Sequence, residues 1–93
     1  MRNADDIVIS PHAFLRAAER SGSEAEIRDV ITNGSQIFAK HGGTARTEVY
    51  PFGKTRAGRL YPERRVVVYY RAGAIRILVV TVCVFCGRWE QRA

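Results

Sequence analysis

Apolar positions recur at helical spacing between Ser10 and Asn33 and in strand-like blocks from Ser35 onward. The strongest block runs from Glu63 to Cys86. Val66, Val67, Val68, Tyr69 and Tyr70 form an unbroken β-branched and aromatic run, and Ala74 to Phe85 continues it with Ile, Leu, Val and Thr. Ala72-Gly73 between them predicts a tight turn, because Gly takes positive φ freely. Strict alternation in the second strand puts Ile75, Ile77, Val79, Thr81, Cys83 and Phe85 on one face. Leu78, Val80, Val82 and Val84 fall on the other. Apolar side chains on both faces predict a central strand, covered on both sides for part of its length.

The remaining segments supply that cover. Ser10-Pro11 reads as a helix start, Ser as N-cap and Pro at the first helical position. The helix is expected from Pro11 to about Arg20, with Phe14, Leu15, Ala17 and Ala18 inward and His12, Arg16, Glu19 and Arg20 outward. Gly22 ends it. Ser23 with Glu26 forms a capping box for a second helix reaching about Thr32, whose stripe is Ile27, Val30 and Ile31. Asn33-Gly34 stops it. Two short helices joined tightly predict a helical hairpin that needs a sheet to pack on.

A strand is expected over 35–40, a turn at Gly42-Gly43 and a strand from Thr44 to Phe52. Gly53 to Arg59 reads as a basic, glycine-bounded loop without the spacing of a phosphate-binding P-loop. Residues 1–9 form a tail ending in Ile7-Val8-Ile9, a short strand or a plug, and residues 87–93 form another tail. The expected architecture is therefore one α+β domain over residues 1–93. Its N-terminal helical hairpin (10–33) packs on a four-stranded antiparallel sheet, a meander over 35–86. One sheet face is left partly covered or open to a ligand.

Charge adds direction to this picture. The net charge is +6, but residues 1–45 carry a net −1. The excess lies in 46–76, where Arg46, Lys54, Arg56, Arg59, Arg64, Arg65, Arg71 and Arg76 face only Glu48 and Glu63. Arginine suits bidentate contact with phosphate, so the sheet and its loops point to RNA, DNA or an acidic protein. The plainer reading is a solubilising Arg-rich surface. The apolar run of the last strand is too short for a membrane helix and is interrupted by Arg76. No long apolar segment follows Met1, so a cytoplasmic protein with no membrane partner is expected.

Candidate chemistry centres on the first helix. His12, Arg16 and Arg20 are spaced by four and share one side. A neutral imidazole can serve as general base, and guanidiniums beside it can hold a phosphate. Equally, exposed His and Arg are common on solvated helices. Cys83 and Cys86 read either as half of a zinc knuckle, with His12 and His41 as further ligands, or as small apolar residues. Alternation puts them on opposite faces unless the strand bends at Gly87, which favours the second. The β context does not suit a thioredoxin-type pair. No metal or cofactor is expected. Trp89 either caps the core or anchors a partner.

The run His12-Ala13-Phe14-Leu15-Arg16-Ala17-Ala18-Glu19-Arg20, followed by Ser23 and a helix ending in Asn33-Gly34, resembles the opening of a small prokaryotic family of unknown function. The Val79-Val80-Thr81-Val82 segment matches the paired hydrophobic strands with which that family closes. The family is similar to BrnT-type toxins and, more distantly, to RelE/ParE-type toxins of the barnase–EndoU–colicin–RelE nuclease group. The resemblance covers about residues 10–86. It implies a helical hairpin on a four-stranded antiparallel sheet, metal-independent RNA cleavage in a toxin–antitoxin system, and a cognate acidic or DNA-binding antitoxin. Its pattern positions are His12, Arg16, Arg20 and Thr81. In such chemistry His12 would act as base or acid, while Arg16 and Arg20, or Lys54, Arg56 and Arg59 of the basic loop, would hold RNA phosphates. Tyr70 would donate a proton or stack on a base. Thr81 would orient the phosphate or simply hydrogen-bond within the sheet.

Overall fold

The computed structural model describes residues 6–20, 22–38 and 44–88. The expected long hairpin is its centre. Strand β4 (Arg59–Ala72) pairs antiparallel with β5 (Ile77–Gly87) on one side and with β3 (Thr44–Arg56) on the other. Strand β2 (Ser35–Phe38) pairs antiparallel with β3. Strand β1 (Ile7–Ile9) completes the sheet by pairing in parallel with β5, Ile7 opposite Ile77 and Ile9 opposite Val79. The order is β1-β5-β4-β3-β2.

This overturns the expected four-stranded antiparallel sheet headed by a helical hairpin. The sheet has five strands and is mixed, and a strand precedes the helices. Ile7-Val8-Ile9 alternates buried, exposed and half-buried, as an edge strand does. Helices α1 (Pro11–Glu19) and α2 (Glu24–Asn33) each find their main contacts on the sheet. Helix α1 lies along β5 and α2 lies across β3 and β4, so they sit side by side rather than as a self-packed hairpin.

One core joins both helices to one face of the sheet. Ala13 and Ala17 of α1 and Ile27, Val30 and Ile31 of α2 meet Val66, Val68, Tyr70, Ile77, Val79, Val82 and Val84. The inward side of α1 differs from the expected one. Phe14 and Leu15 are 51% and 62% exposed, and Ala18 is also exposed. Alanines at the contact let the helix axis approach β5 closely, where larger side chains would hold it off. Gly22 N–H donates to the Ala17 carbonyl at 2.7 Å and closes the helix end. The capping box of α2 is formed as expected, Ser23 and Glu26 each accepting from the other's backbone at 3.2 Å.

A β-bulge breaks the alternation of β5. Tyr69 pairs with Thr81 but Tyr70 pairs with Val79, which leaves Val80 as the extra residue. Ile77 and Val79 before the bulge therefore share the helix-covered face with Val82 and Val84 beyond it. Thr81, Cys83 and Phe85 turn to the other face, opposite Tyr69, Val67 and Arg65. The basic segment from Gly53 to Arg59 is also not a loop. Gly53, at φ +61°, accommodates a bulge between Pro51 and Lys54, and the strands run on to Arg56 opposite Arg59. Ala57 and Gly58, at φ 51° and 75°, form a two-residue turn of the type that fits strand twist.

Candidate active-site cleft

Ser10 places the first helix. Its hydroxyl accepts from Ala13 N–H at 3.1 Å as N-cap and donates to the Val80 carbonyl at 3.2 Å. Its own N–H donates to the Val79 carbonyl at 3.2 Å. The start of α1 is thus tied to the bulge. One residue into the helix, His12 Nε2 lies 3.3 Å from Thr81 Oγ1. With the imidazole proton on Nδ1 the hydroxyl donates to Nε2, and with the proton on Nε2 the imidazole donates to the hydroxyl. Either bond fixes the ring against β5.

Further along the same side of α1, Arg16 and Arg20 line a shallow cleft of about 120 Å³ against Val82, Cys83, Val84 and Phe85. That volume suits one phosphate and is well below the roughly 300 Å³ from which whole-ligand pockets begin. Arg16 reaches Glu19 at 3.8 Å, with both side chains half exposed, a contact weak enough to yield to an anion. The cleft is lined by two guanidiniums and the Cys83 thiol, and the His12–Thr81 contact lies nearer the start of the same helix. Another depression, about 320 Å³ among Asp6, Val8, Ile75 and Arg76, is larger but offers only one carboxylate and one guanidinium.

The structure therefore gathers His12, Arg16, Arg20 and Thr81 along one helix–strand seam. It does not bring the other candidates there. Tyr70 points to the helix-covered face, is 3% exposed, and accepts from Arg46 Nε at 3.2 Å. It is a core residue holding Arg46, whose other nitrogen donates to the Gly34 carbonyl at 3.1 Å. Tyr69, opposite Thr81, is the tyrosine beside the seam. Lys54, Arg56 and Arg59 belong to the tip of the β3–β4 hairpin. Arg59 lies six residues along β4 from Arg65, which stands opposite the cleft wall Phe85, roughly 20 Å at about 3.3 Å per residue. A single phosphate in the cleft is beyond their reach.

Sequence reasoning passed over Ser10 as a positioning residue and Cys83 and Phe85 as cleft walls. Strict alternation groups Cys83 and Phe85 with Ile77 and Val79, and the bulge, which leaves no periodic signal, moves them to the opposite face. Cys83 pairs with Val67 and Cys86 with Arg64, so the two thiols lie on opposite faces. Among the described residues no three His, Cys, Asp or Glu side chains gather as a metal site. His41, Trp89 and the Gly42-Gly43 turn lie outside the described residues.

A second polar cluster lies under α2. Arg64 is ion-paired with Glu26, and its guanidinium lies 5.9 Å and 5.5 Å from the ring centres of Tyr50 and Phe52. Tyr50 Oη lies 2.6 Å from Asp29 Oδ2 and 2.9 Å from Glu48 Oε2. Hydrogen bonds from Glu48, Tyr50 and Asn33 hold the Asp29 carboxyl below its ordinary range. The hydrogen bond with Asp29, then burial, pushes Glu48 up. Burial first, then the two carboxylates, raises the Tyr50 phenol far above its usual range. The Tyr50 hydroxyl lies within hydrogen-bond distance of both carboxyl groups, and its contact with Asp29 fastens α2 to β3.

Fold and cleft define a small mixed α/β protein with a basic sheet and a His–Arg seam along β5, its most apolar long strand. The chain belongs to the family described as a domain of unknown function, DUF4258, whose model matches residues 9–84. That span runs from Ile9, the last residue of β1, to Val84 in β5, and takes in both helices and strands β2, β3 and β4 whole. No curated protein and no solved structure matches the chain significantly. Among the described residues no helix is long and apolar enough to cross a membrane.

Proposed function

We propose that the chain is a toxin-like endoribonuclease, similar to BrnT-type and more distantly RelE/ParE-type toxins, that cuts RNA without a metal. A cognate acidic or DNA-binding antitoxin would be its protein partner, in the cytoplasm. The observation that carries this reading is the contact of His12 with Thr81 on the same helix side as Arg16 and Arg20, which themselves line a phosphate-sized cleft. Metal independence rests on the resemblance. His12 takes the proton of a ribose 2′-OH, and the resulting oxygen attacks the adjacent phosphorus. Arg16 and Arg20 balance the charge that builds on the phosphoryl oxygens. The bond to the 5′-oxygen breaks, that oxygen takes a proton from solvent, and a 2′,3′-cyclic phosphate remains. Thr81 orients the imidazole, the role expected of a positioning hydroxyl.

The test is cleavage of single-stranded RNA by the pure protein in EDTA. His12→Ala should lower the rate by roughly 10²–10⁴-fold, the usual share of a general base. Arg20→Ala should also abolish cutting, with both variants keeping the native circular dichroism. An inert native protein, or an equally active His12→Ala variant, would refute the reading. The shallowness of the cleft favours a second reading, a non-catalytic nucleic-acid-binding module on the same scaffold. Salt-dependent RNA binding without cleavage would mark that outcome.

A further inference from the structure

The sheet face turned away from both helices carries a patterned row along β4. Arg59, Tyr61, Arg65, Tyr69 and Arg71 stand on it at alternate positions, so guanidiniums and phenol rings interleave. Lys54, opposite Tyr61, adds a further exposed cation. Arg59 lies 6.0 Å from the centre of the Tyr61 ring. Arg65 Nε donates to Thr47 Oγ1 at 3.0 Å, which steadies the guanidinium on this face. Glu63 is the one acidic member of the row. Ala45, Thr47 and Val67 form its buried floor. The row runs over thirteen residues, twelve steps of about 3.3 Å or roughly 40 Å, and so uses nearly the whole 44 Å long axis of the molecule.

We infer that this row is a track for single-stranded RNA, leading from the β3–β4 hairpin tip to the cleft. The inference rests on the reading of the cleft as an RNA-cutting site and supplies what the cleft lacks. A space of about 120 Å³ takes a phosphate but leaves the bases outside. The register joins the two surfaces directly. Phe85, a cleft wall, stands opposite Arg65, and Thr81 stands opposite Tyr69. Alternating cations and rings match alternating phosphates and bases, since every base has a π-face to stack and every phosphate a charge to hold. A duplex hides its base faces from such a row, and an acidic peptide has no rings for the tyrosines.

The experiment uses the full chain and a fluorescent 2′-O-methyl RNA of about 12 nucleotides, within the range that sheet-face binders occupy. The 2′-O-methyl group blocks cutting, so affinity is read apart from cleavage. Tyr61→Leu and Tyr69→Leu should each weaken binding roughly 5- to 150-fold, the effect of losing one base–aromatic stack. Arg59→Gln, at the exposed tip where folding is not at stake, should reduce the slope of log affinity against log salt by about 0.7. Unchanged affinity in the tyrosine variants with native circular dichroism would overturn the track. So would duplex RNA binding as tightly as the single strand, or polyglutamate displacing RNA as well as unlabelled RNA does. Tyrosine-dependent binding by a protein that never cuts RNA would leave the track standing and remove the nuclease reading. Cutting with tyrosine-independent binding would do the reverse.

Discussion

Replacing Ser10 by alanine tests how the first helix is held. Ser10 makes four hydrogen bonds, and its side chain carries two of them. Loss of the cap to Ala13 costs about 1 kcal/mol. Loss of the bond to the Val80 carbonyl adds about 0.5 kcal/mol, the low end for a hydrogen bond because the site is exposed to water. Together they predict a fall of about 1.5 kcal/mol, or roughly 6–12 °C in melting temperature for a domain of this size. Ser10→Thr keeps both bonds and should melt near the native protein. Ser10→Asp keeps the cap but cannot donate to Val80, so it should fall between them. Thermal melting by far-UV circular dichroism reads all three, and amide exchange at Ala13 and Phe14 should quicken in the alanine variant. A Ser10→Ala protein melting within about 2 °C of native, with unchanged exchange in α1, would refute the clamp.

Other substitutions separate other contacts. Glu26→Gln keeps an acceptor for the capping box but leaves the Arg64 guanidinium, 8% exposed, without its countercharge; a loss of about 2–3 kcal/mol is expected in urea denaturation. Glu24→Gln, which breaks only the exposed pair with Arg28, should cost under about 0.5 kcal/mol, and equal losses would contradict the burial argument. The Asp29–Glu48 pair predicts a two-sided pH profile. Asp29, held low, contributes stability that is lost as pH falls through its lowered range, whereas Glu48, held high, contributes stability lost as pH rises above the ordinary value of 4.5 through its raised range. Glu48→Gln should flatten the decline on the rising side, and an unchanged difference between the two proteins across that window would exclude the upward shift of Glu48. Gly34→Ala would set a Cβ 2.5 Å from the Val30 carbonyl oxygen and 2.8 Å from that of Thr47, so a loss of about 2 kcal/mol or more is expected from melting curves.

Local signals carried much of this architecture into view. Ser10-Pro11, the Ser23–Glu26 box and the Val66–Tyr70 run each act within a few residues, and each forms the element its chemistry favours. What stayed hidden depends on partners far along the chain. Ile7-Val8-Ile9 is too short to declare itself a strand until β5 offers an edge. Phe14 and Leu15 read as buried by hydrophobicity, but the Ser10 clamp fixes the rotation of α1 and turns the alanines inward. The seam of His12, Arg16 and Arg20 was visible as helical spacing. Its strand side was not, because one extra residue at Val80 reassigns every later side chain of β5 and settles Tyr69, not Tyr70, beside Thr81.

The clamp also orders events in time. His12 and Thr81 are 69 residues apart in sequence, and Ser10 reaches Val80 across 70. Contacts of such separation form late, after the cost of closing the intervening chain has been met. A nine-residue helix does not persist on its own. While the protein is being synthesised, β5 is the last of the described strands to appear, and α1 has nothing to lie against until it does. The seam is therefore absent from every growing chain that has not yet made β5. On the proposed RNA-cutting reading, a protein emerging beside its own messenger carries no assembled cleft to turn on it.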